Sequence, residues 1–262
     1  MYPYADRTFV SKAFFWAINC FTGQYRDYQP IDILYHDFEH TLQGALCMVR
    51  ILHGRHSANA EPELPHGMFK LGLLAILLHD TGYLKRRSDT EGTGAKYTLT
   101  HVSRSADFAA LLLGESGFGP KEILAVQNMI ACTGVNADLS SIPFQNPIER
   151  MVGFALGTAD LLGQMAADDY VEKLPILFDE FAESQRHDAD KIPERMKFVS
   201  AEDLMRKTAI FWEKYVQVKI RQDFEGLYRF LSQPYPDGPN FYIDRIQANV
   251  EAVQRRLAAG VP

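Results

Sequence analysis

One run limits the fold more than any other: "MFKLGLLAILLHDTGY", residues 68–83, where apolar side chains fall on nearly every side of a helical wheel. A helix with no polar face must be enclosed by other elements. The run therefore predicts a central helix inside a bundle, with Gly82 as its stop. His79 and Asp80 are then carried into the interior at the end of that helix. An ionised carboxylate buried without a partner is costly, so Asp80 needs a cation, a metal or several hydrogen-bond donors. The plain structural alternative is an Asp that accepts helix-end or loop hydrogen bonds beside a packed His.

The rest of the chain supplies the enclosing helices. Helical periodicity dominates and no alternating strand pattern appears. An amphipathic run over 7–21 is closed by Thr22-Gly23. A second, from about 36 to 53, carries Leu42, Leu46, Val49 and Leu52 as a stripe and stops at Gly54. "THVSRSADFAALLLG" begins with a Thr cap, and "GPKEILAVQNMIACTG" has Pro in its first turn and Gly after its last. "NPIERMVGFALGTADLLGQMA" opens with Asn146, Pro147 and Glu149, a good N-terminal pattern. Further helices are expected over about 168–185, 200–232 (Ser200 as cap) and 240–258, with a loop at "RRSDTEGTGAKYT". No repeat, low-complexity tract or clear linker divides the chain. The expectation is one all-α domain over 1–262.

Charge and cysteines narrow the setting. The net charge of −6 disfavours a nonspecific hold on nucleic acid or anionic membrane. It leaves room for a small phosphorylated substrate held by a metal or a few arginines. The cysteines, Cys20, Cys47 and Cys132, are odd in number, widely spaced and without a CxxC, which points to a reducing compartment. The apolar N-terminal patch lacks a basic leader and a small-residue cleavage site, and no run approaches about 18 apolar residues. A cytoplasmic location is expected. The sequence is silent on oligomeric state.

Two further places carry metal-type side chains. In "YHDFEH", residues 35–40, His36 and His40 are four apart and would share one helix face. Alone, such a pair can be a helix surface or a cap. Asp160, in "GFALGTADLLGQM", repeats the problem of a carboxylate on an apolar helix. Three helices that each bring a metal-type ligand into apolar surroundings suggest a shared ion.

This H…HD…D order resembles the HD-domain metal-dependent phosphohydrolases, and "YHDFEH" is similar to the Tyr-His start of their cyclic-nucleotide phosphodiesterase branch. The resemblance covers roughly residues 35–165 and implies an HD-type helical core followed by extra C-terminal helices over about 168–262. It implies that His40, His79, Asp80 and Asp160 bind a divalent metal, one or two ions of Mn, Mg, Zn or Fe. Asp80 is the position that bridges two metals in dinuclear members. His36 would be the general acid for the leaving oxygen. His101 matches a third histidine of many relatives, as a second-metal ligand, a partner for metal-associated water or a plain helix residue. Lys85, Arg86 and Arg87 would hold a substrate phosphate if they faced the site, and are otherwise a solvated charge cluster.

The chain also departs from the pattern. Where two-metal relatives carry a histidine pair, it reads "MIACTG", and Tyr83 stands where the HD-GYP group has lysine. Gln217, Gln222 and Phe224 do not match a base-binding clamp. His187-Asp188, a second HD dipeptide, sits in a charged setting that reads as a solvated loop. The expected activity is hydrolysis of a small phosphoester or nucleotide with a metal-activated water. The alternatives are an HD-type di-iron oxygenase and a non-catalytic metal- or nucleotide-binding sensor.

Overall fold

The computed structural model describes residues 8–192 and 197–260. Among these there are nine α-helices and no strands: α1 (Thr8–Phe21), α2 (Phe38–Ser57), α3 (His66–Leu78), α4 (His101–Glu115), α5 (Pro120–Ala131), α6 (Pro147–Met165), α7 (Tyr170–His187), α8 (Ala201–Ile210) and α9 (Phe241–Ala258). Residue 7, where the first helix was expected to begin, lies outside the described residues.

α3 is the enclosed helix. Every residue from Leu71 to Leu78 is buried, and α1, α2, α4, α5 and α6 pack around it. Fully burying one such Leu or Ile contributes about 1.5–3 kcal/mol, so this short segment is a large part of the core. The core continues without a break into the C-terminal helices, through Leu174, Leu204, Trp212 and Ile246.

Helix starts follow local chemistry. Asn146 accepts from the Glu149 N–H at 2.9 Å, ahead of Pro147, and Ser200 accepts from the Asp203 N–H at 3.1 Å. Thr100 occupies the cap position of α4, but its hydroxyl donates to the Tyr97 carbonyl and caps nothing. α2 begins two residues later than expected. Asp37 caps it by accepting from the His40 N–H at 2.8 Å, because Asp is a strong N-cap and His is not. His36 therefore precedes the helix and does not share a helix face with His40.

The helix expected over 200–232 is interrupted. α8 ends at Ile210, wider π-type turns follow over Phe211–Val216 and Lys219–Asp223, and a 3-10 turn spans Leu227–Leu231. We have no physical account of why the turns widen there. A 3-10 turn, Gly94–Tyr97, also lies within the expected loop.

Two close approaches set the positions of the helices around α3. α2 crosses α6 where a Cβ on Gly163 would stand 2.9 Å from the Gly44 nitrogen. Beyond the C-terminus of α3, a Cβ on Gly82 would stand 2.0 Å from the His101 carbonyl oxygen. Only glycine permits either contact. The first brings the start of α2 alongside the C-terminal end of α6, and the second lays the turn after Asp80 against the start of α4.

Candidate metal centre

Those two contacts bring His40, His79, Asp80 and Asp160 together. His40 sits in the first turn of α2, and His79 is the C-cap of α3, directly after Leu78. The His79 Nδ1–H donates to the Ile76 carbonyl at 2.7 Å, which turns Nε2 away from its own helix. Asp80 Oδ2 lies 3.3 Å from His40 Nε2 and 3.2 Å from His79 Nε2. Asp160 Oδ1, reaching from α6, lies 3.2 Å and 3.4 Å from the same two nitrogens.

These groups suit a cation. The donor atoms of His40, His79 and Asp80 lie within 4.8 Å of one another, all three residues are buried, and the group could hold a metal ion. Donors about 2.0–2.2 Å from one ion stand about 2.8–3.6 Å apart, from right-angle to tetrahedral arrangements. The four N–O separations fall inside that interval. His79 Nε2 and Asp80 Oδ2 are enclosed without a hydrogen-bond partner. A buried orphan of this kind is expensive, and an ion held by His40, His79 and Asp80 would remove the cost.

The electrostatics agree. Burial pulls the His40 imidazole down, but the adjacent Asp160 and Asp80 carboxylates outweigh this and push it up to about 10. His79 is raised as well: burial opposes, and Asp80 and Asp160 prevail. Burial raises both carboxyls, yet His79 and His40 hold Asp80 well below the usual carboxylate range. The same two imidazoles do so for Asp160. The pocket demands positive charge, as protons or as a metal.

One side of the centre is open. Side-chain exposure is 13% for Asp160, 15% for His36 and 19% for His101, against 4% or less for His40, His79 and Asp80. His36 Nδ1 lies 2.6 Å from Glu180 Oε2, and its ring centroid is 5.4 Å from that of His40. The other Glu180 oxygen accepts from the Leu34 and Tyr35 N–H groups at 3.0 and 2.7 Å. Glu180 thus fixes both the imidazole and the backbone that carries it. The His101 Nδ1–H donates to the Thr98 carbonyl at 2.7 Å, and Nε2 stands 3.9 Å from Asp80 Oδ1. Burial keeps the His101 imidazole below its ordinary range in spite of Asp80. The Tyr83 ring stacks on both His36 and His101.

Sequence reasoning missed Glu180 and the role of Tyr83. A signal for Glu180 was present: it follows Leu174 and Leu177 at helical spacing, a carboxylate on the buried stripe of α7. Tyr83 offered only its place after a buried helix.

Other singled-out residues lie elsewhere. Lys85 is buried, pairs with Asp32 at 3.0 Å and donates to the Gly92 carbonyl. Arg86 lies over the Tyr28 ring and Arg87 donates to the Gly23 carbonyl. The basic run is committed to the segment between α1 and α2 and to Gly92, and no contact brings it to the histidines among the described residues. The Cys132 thiol points at the Asn128 carbonyl and lies where a Cβ on Gly153 would fall. Phe224 is core, packed on Phe154. The reading of His187-Asp188 as a solvated loop holds for the exposure of His187, the last residue of α7, and is corrected for Asp188, which is only 7% exposed and held by Lys191 at 2.6 Å and His187 at 3.3 Å. An ion pair offsets the burial that the charged sequence hid. The three cysteines are free and buried, and no helix among the described residues is long and apolar enough to cross a membrane.

With this geometry in hand, comparison with known proteins gives one result. A family model described as Npun_R2479-like matches residues 16–254. No curated protein matches the chain.

Proposed function

The chain belongs to the Npun_R2479-like family, and we propose that this member is a metal-dependent phosphohydrolase acting on a small phosphoester or nucleotide. The observation that carries the reading is the meeting of four donors, in the chain order H…HD…D, at N–O separations of 3.2–3.4 Å beside an open-sided histidine. His40, His79, Asp80 and Asp160 would hold the ion. A mixed imidazole and carboxylate set suits Mn, Mg, Zn or Fe. The chemistry supplied by a divalent ion in such a set is hydroxide near neutral pH and a polarised phosphoryl oxygen.

The chain's own residues do the rest. His36 donates a proton from Nε2 to the leaving oxygen, a step worth about 10²–10⁴-fold. Glu180, bound at Nδ1, holds the imidazole in the orientation that frees Nε2. Neutral His101 accepts through Nε2, since its Nδ1 proton is committed to Thr98. The enclosed walls of His40, His79 and Asp80 keep bulk water from the inner side of the centre.

The test is a panel of phosphomonoesters, phosphodiesters, cyclic nucleotides and nucleotides, run with each of the four metals. Metal-dependent turnover that Asp80→Asn abolishes, and that His36→Asn slows with the ion retained, supports the reading. Tight nucleotide binding without hydrolysis under any metal overturns it in favour of a sensor. Oxygen uptake with a coloured iron centre overturns it in favour of an oxygenase.

A further inference from the structure

The open side of the centre is built on one ring. The Tyr83 centroid lies 4.8 Å from that of His36, with planes 22° apart, and 4.6 Å from that of His101, with planes 13° apart. The two imidazoles are 6.3 Å from each other. Stacked rings keep about 3.5 Å between their planes, so imidazoles on opposite faces of the phenol would be about 7 Å apart or more. At 6.3 Å they lie side by side on the same face. Each is pinned at Nδ1, His36 by Glu180 and His101 by the Thr98 carbonyl. A single hydrogen bond at one corner leaves an imidazole free to tilt about it. A flat surface beneath removes that freedom.

Tyr83 is well suited to be such a surface. It is 1% exposed, in the 3-10 turn that Gly82 presses against α4, and packs on Ile33 and Ala95. Its hydroxyl is enclosed and makes no hydrogen bond of good geometry. What the residue contributes is therefore its face, since an enclosed hydroxyl without a partner is a cost.

We propose that Tyr83 is a positioning residue: its phenol ring is a shared floor that sets the planes of His36 and His101 and aims both Nε2 atoms at one reacting group. The catalytic meaning of this rests on the phosphohydrolase reading; the stacking does not. Tyr83→Phe keeps the floor and removes only the hydroxyl. Tyr83→Leu keeps much of the bulk and removes the flat face. Tyr83→Met, a flexible gap-filler, takes its place if the leucine variant does not fold.

Two measurements on the Zn-loaded protein test it. In ¹H–¹³C spectra assigned with His36→Asn and His101→Asn, the Hε1 signals of both histidines are shifted upfield by the ring in wild type and Tyr83→Phe, and move downfield in Tyr83→Leu. With bis(p-nitrophenyl) phosphate as probe, Tyr83→Leu loses about 10²-fold in kcat through misplacement of the acid, with KM and bound metal near wild type, and Tyr83→Phe restores the rate. Histidine signals that do not respond to Tyr83→Leu overturn the proposal. So does a Tyr83→Leu enzyme with wild-type kcat, or a Tyr83→Phe enzyme as slow as Tyr83→Leu. A wild-type protein that hydrolyses no probe counts against the phosphohydrolase reading instead, and the spectra then decide the floor alone.

Discussion

Gly163→Ala probes how the helix crossing governs the metal centre. A Cβ at this position would lie 2.9 Å from the Gly44 nitrogen and 3.0 Å from the Gln43 carbonyl carbon and oxygen. Ordinary carbon contacts are about 3.5–4.0 Å, so the backbone of α2 must retreat by about 0.5–1 Å. No rotamer change can absorb this, because the clashing atoms are main chain. Gly44 lies one turn beyond His40, and Gly163 three residues beyond Asp160, so the retreat acts directly on the 3.2 Å separation between His40 Nε2 and Asp160 Oδ1. Opened to about 4 Å, that pair can no longer share an ion, since a working site tolerates only about ±0.2 Å in its ligand distances. Metal affinity should fall by at least the 10–100-fold typical of lost support around a metal ligand, about 1.4–2.7 kcal/mol. Global stability should fall by about 1–3 kcal/mol, as for other overpacked cores. Titration calorimetry with Mn²⁺ or Zn²⁺ reads the first and urea unfolding the second. Gly67→Ala, in the first turn of α3 with nothing within 4 Å of its added Cβ, is the control and should bind metal as wild type. A Gly163→Ala protein with wild-type metal affinity would refute the link between helix crossing and site geometry.

Three other outcomes follow from the same geometry. Glu180→Gln can still accept from the Leu34 and Tyr35 N–H groups, but its amide would donate to His36 Nδ1 and deny it a proton there; kcat should fall about 10–100-fold with metal content unchanged, measured by steady-state kinetics and elemental analysis. Because the metal-free His40 imidazole is pushed up to about 10, it is protonated at neutral pH and an ion must displace that proton, so metal affinity should rise with pH toward that value; calorimetry at pH 7 in buffers of different ionisation enthalpy should show proton release, and buffer-independent heats would contradict it. Arg86→Ala and Arg87→Ala should leave phosphoester turnover near wild type, since Arg86 is spent on the Tyr28 ring and Arg87 on the Gly23 carbonyl; a large rise in KM in either would return the basic run to the site.

The enclosed helix and the two carboxylates were legible because each broke a simple rule, while His40 and His79 entered as ligands only through the resemblance. α3 has no polar face, and Asp80 and Asp160 are carboxylates on apolar helices, which physical chemistry allows only with a compensating charge. His36 was placed wrongly by periodicity because Asp37 ends the helix before it, a case of capping overriding spacing. Glu180 stayed hidden inside "LFDEFAES", where acids on either side of the stripe mask the one that points inward. Asp188 was hidden in the same way by its charged neighbours. The relation of Tyr83 to two histidines, one 47 residues before it and one 18 after, depends on tertiary packing and leaves no local pattern. The break of the last long helix into wider turns after Ile210 has no signal we can identify.

The central claim is that the four donors bind one cation, and elemental analysis of the purified protein, backed by calorimetric titration of the chelator-treated form, tests it most directly. The account predicts at least one equivalent of a divalent ion per chain in wild type, lost in Asp80→Asn and in His40→Ala while His36→Asn retains it. A wild-type protein that carries no ion and takes none up, with stability indifferent to chelator, would contradict it.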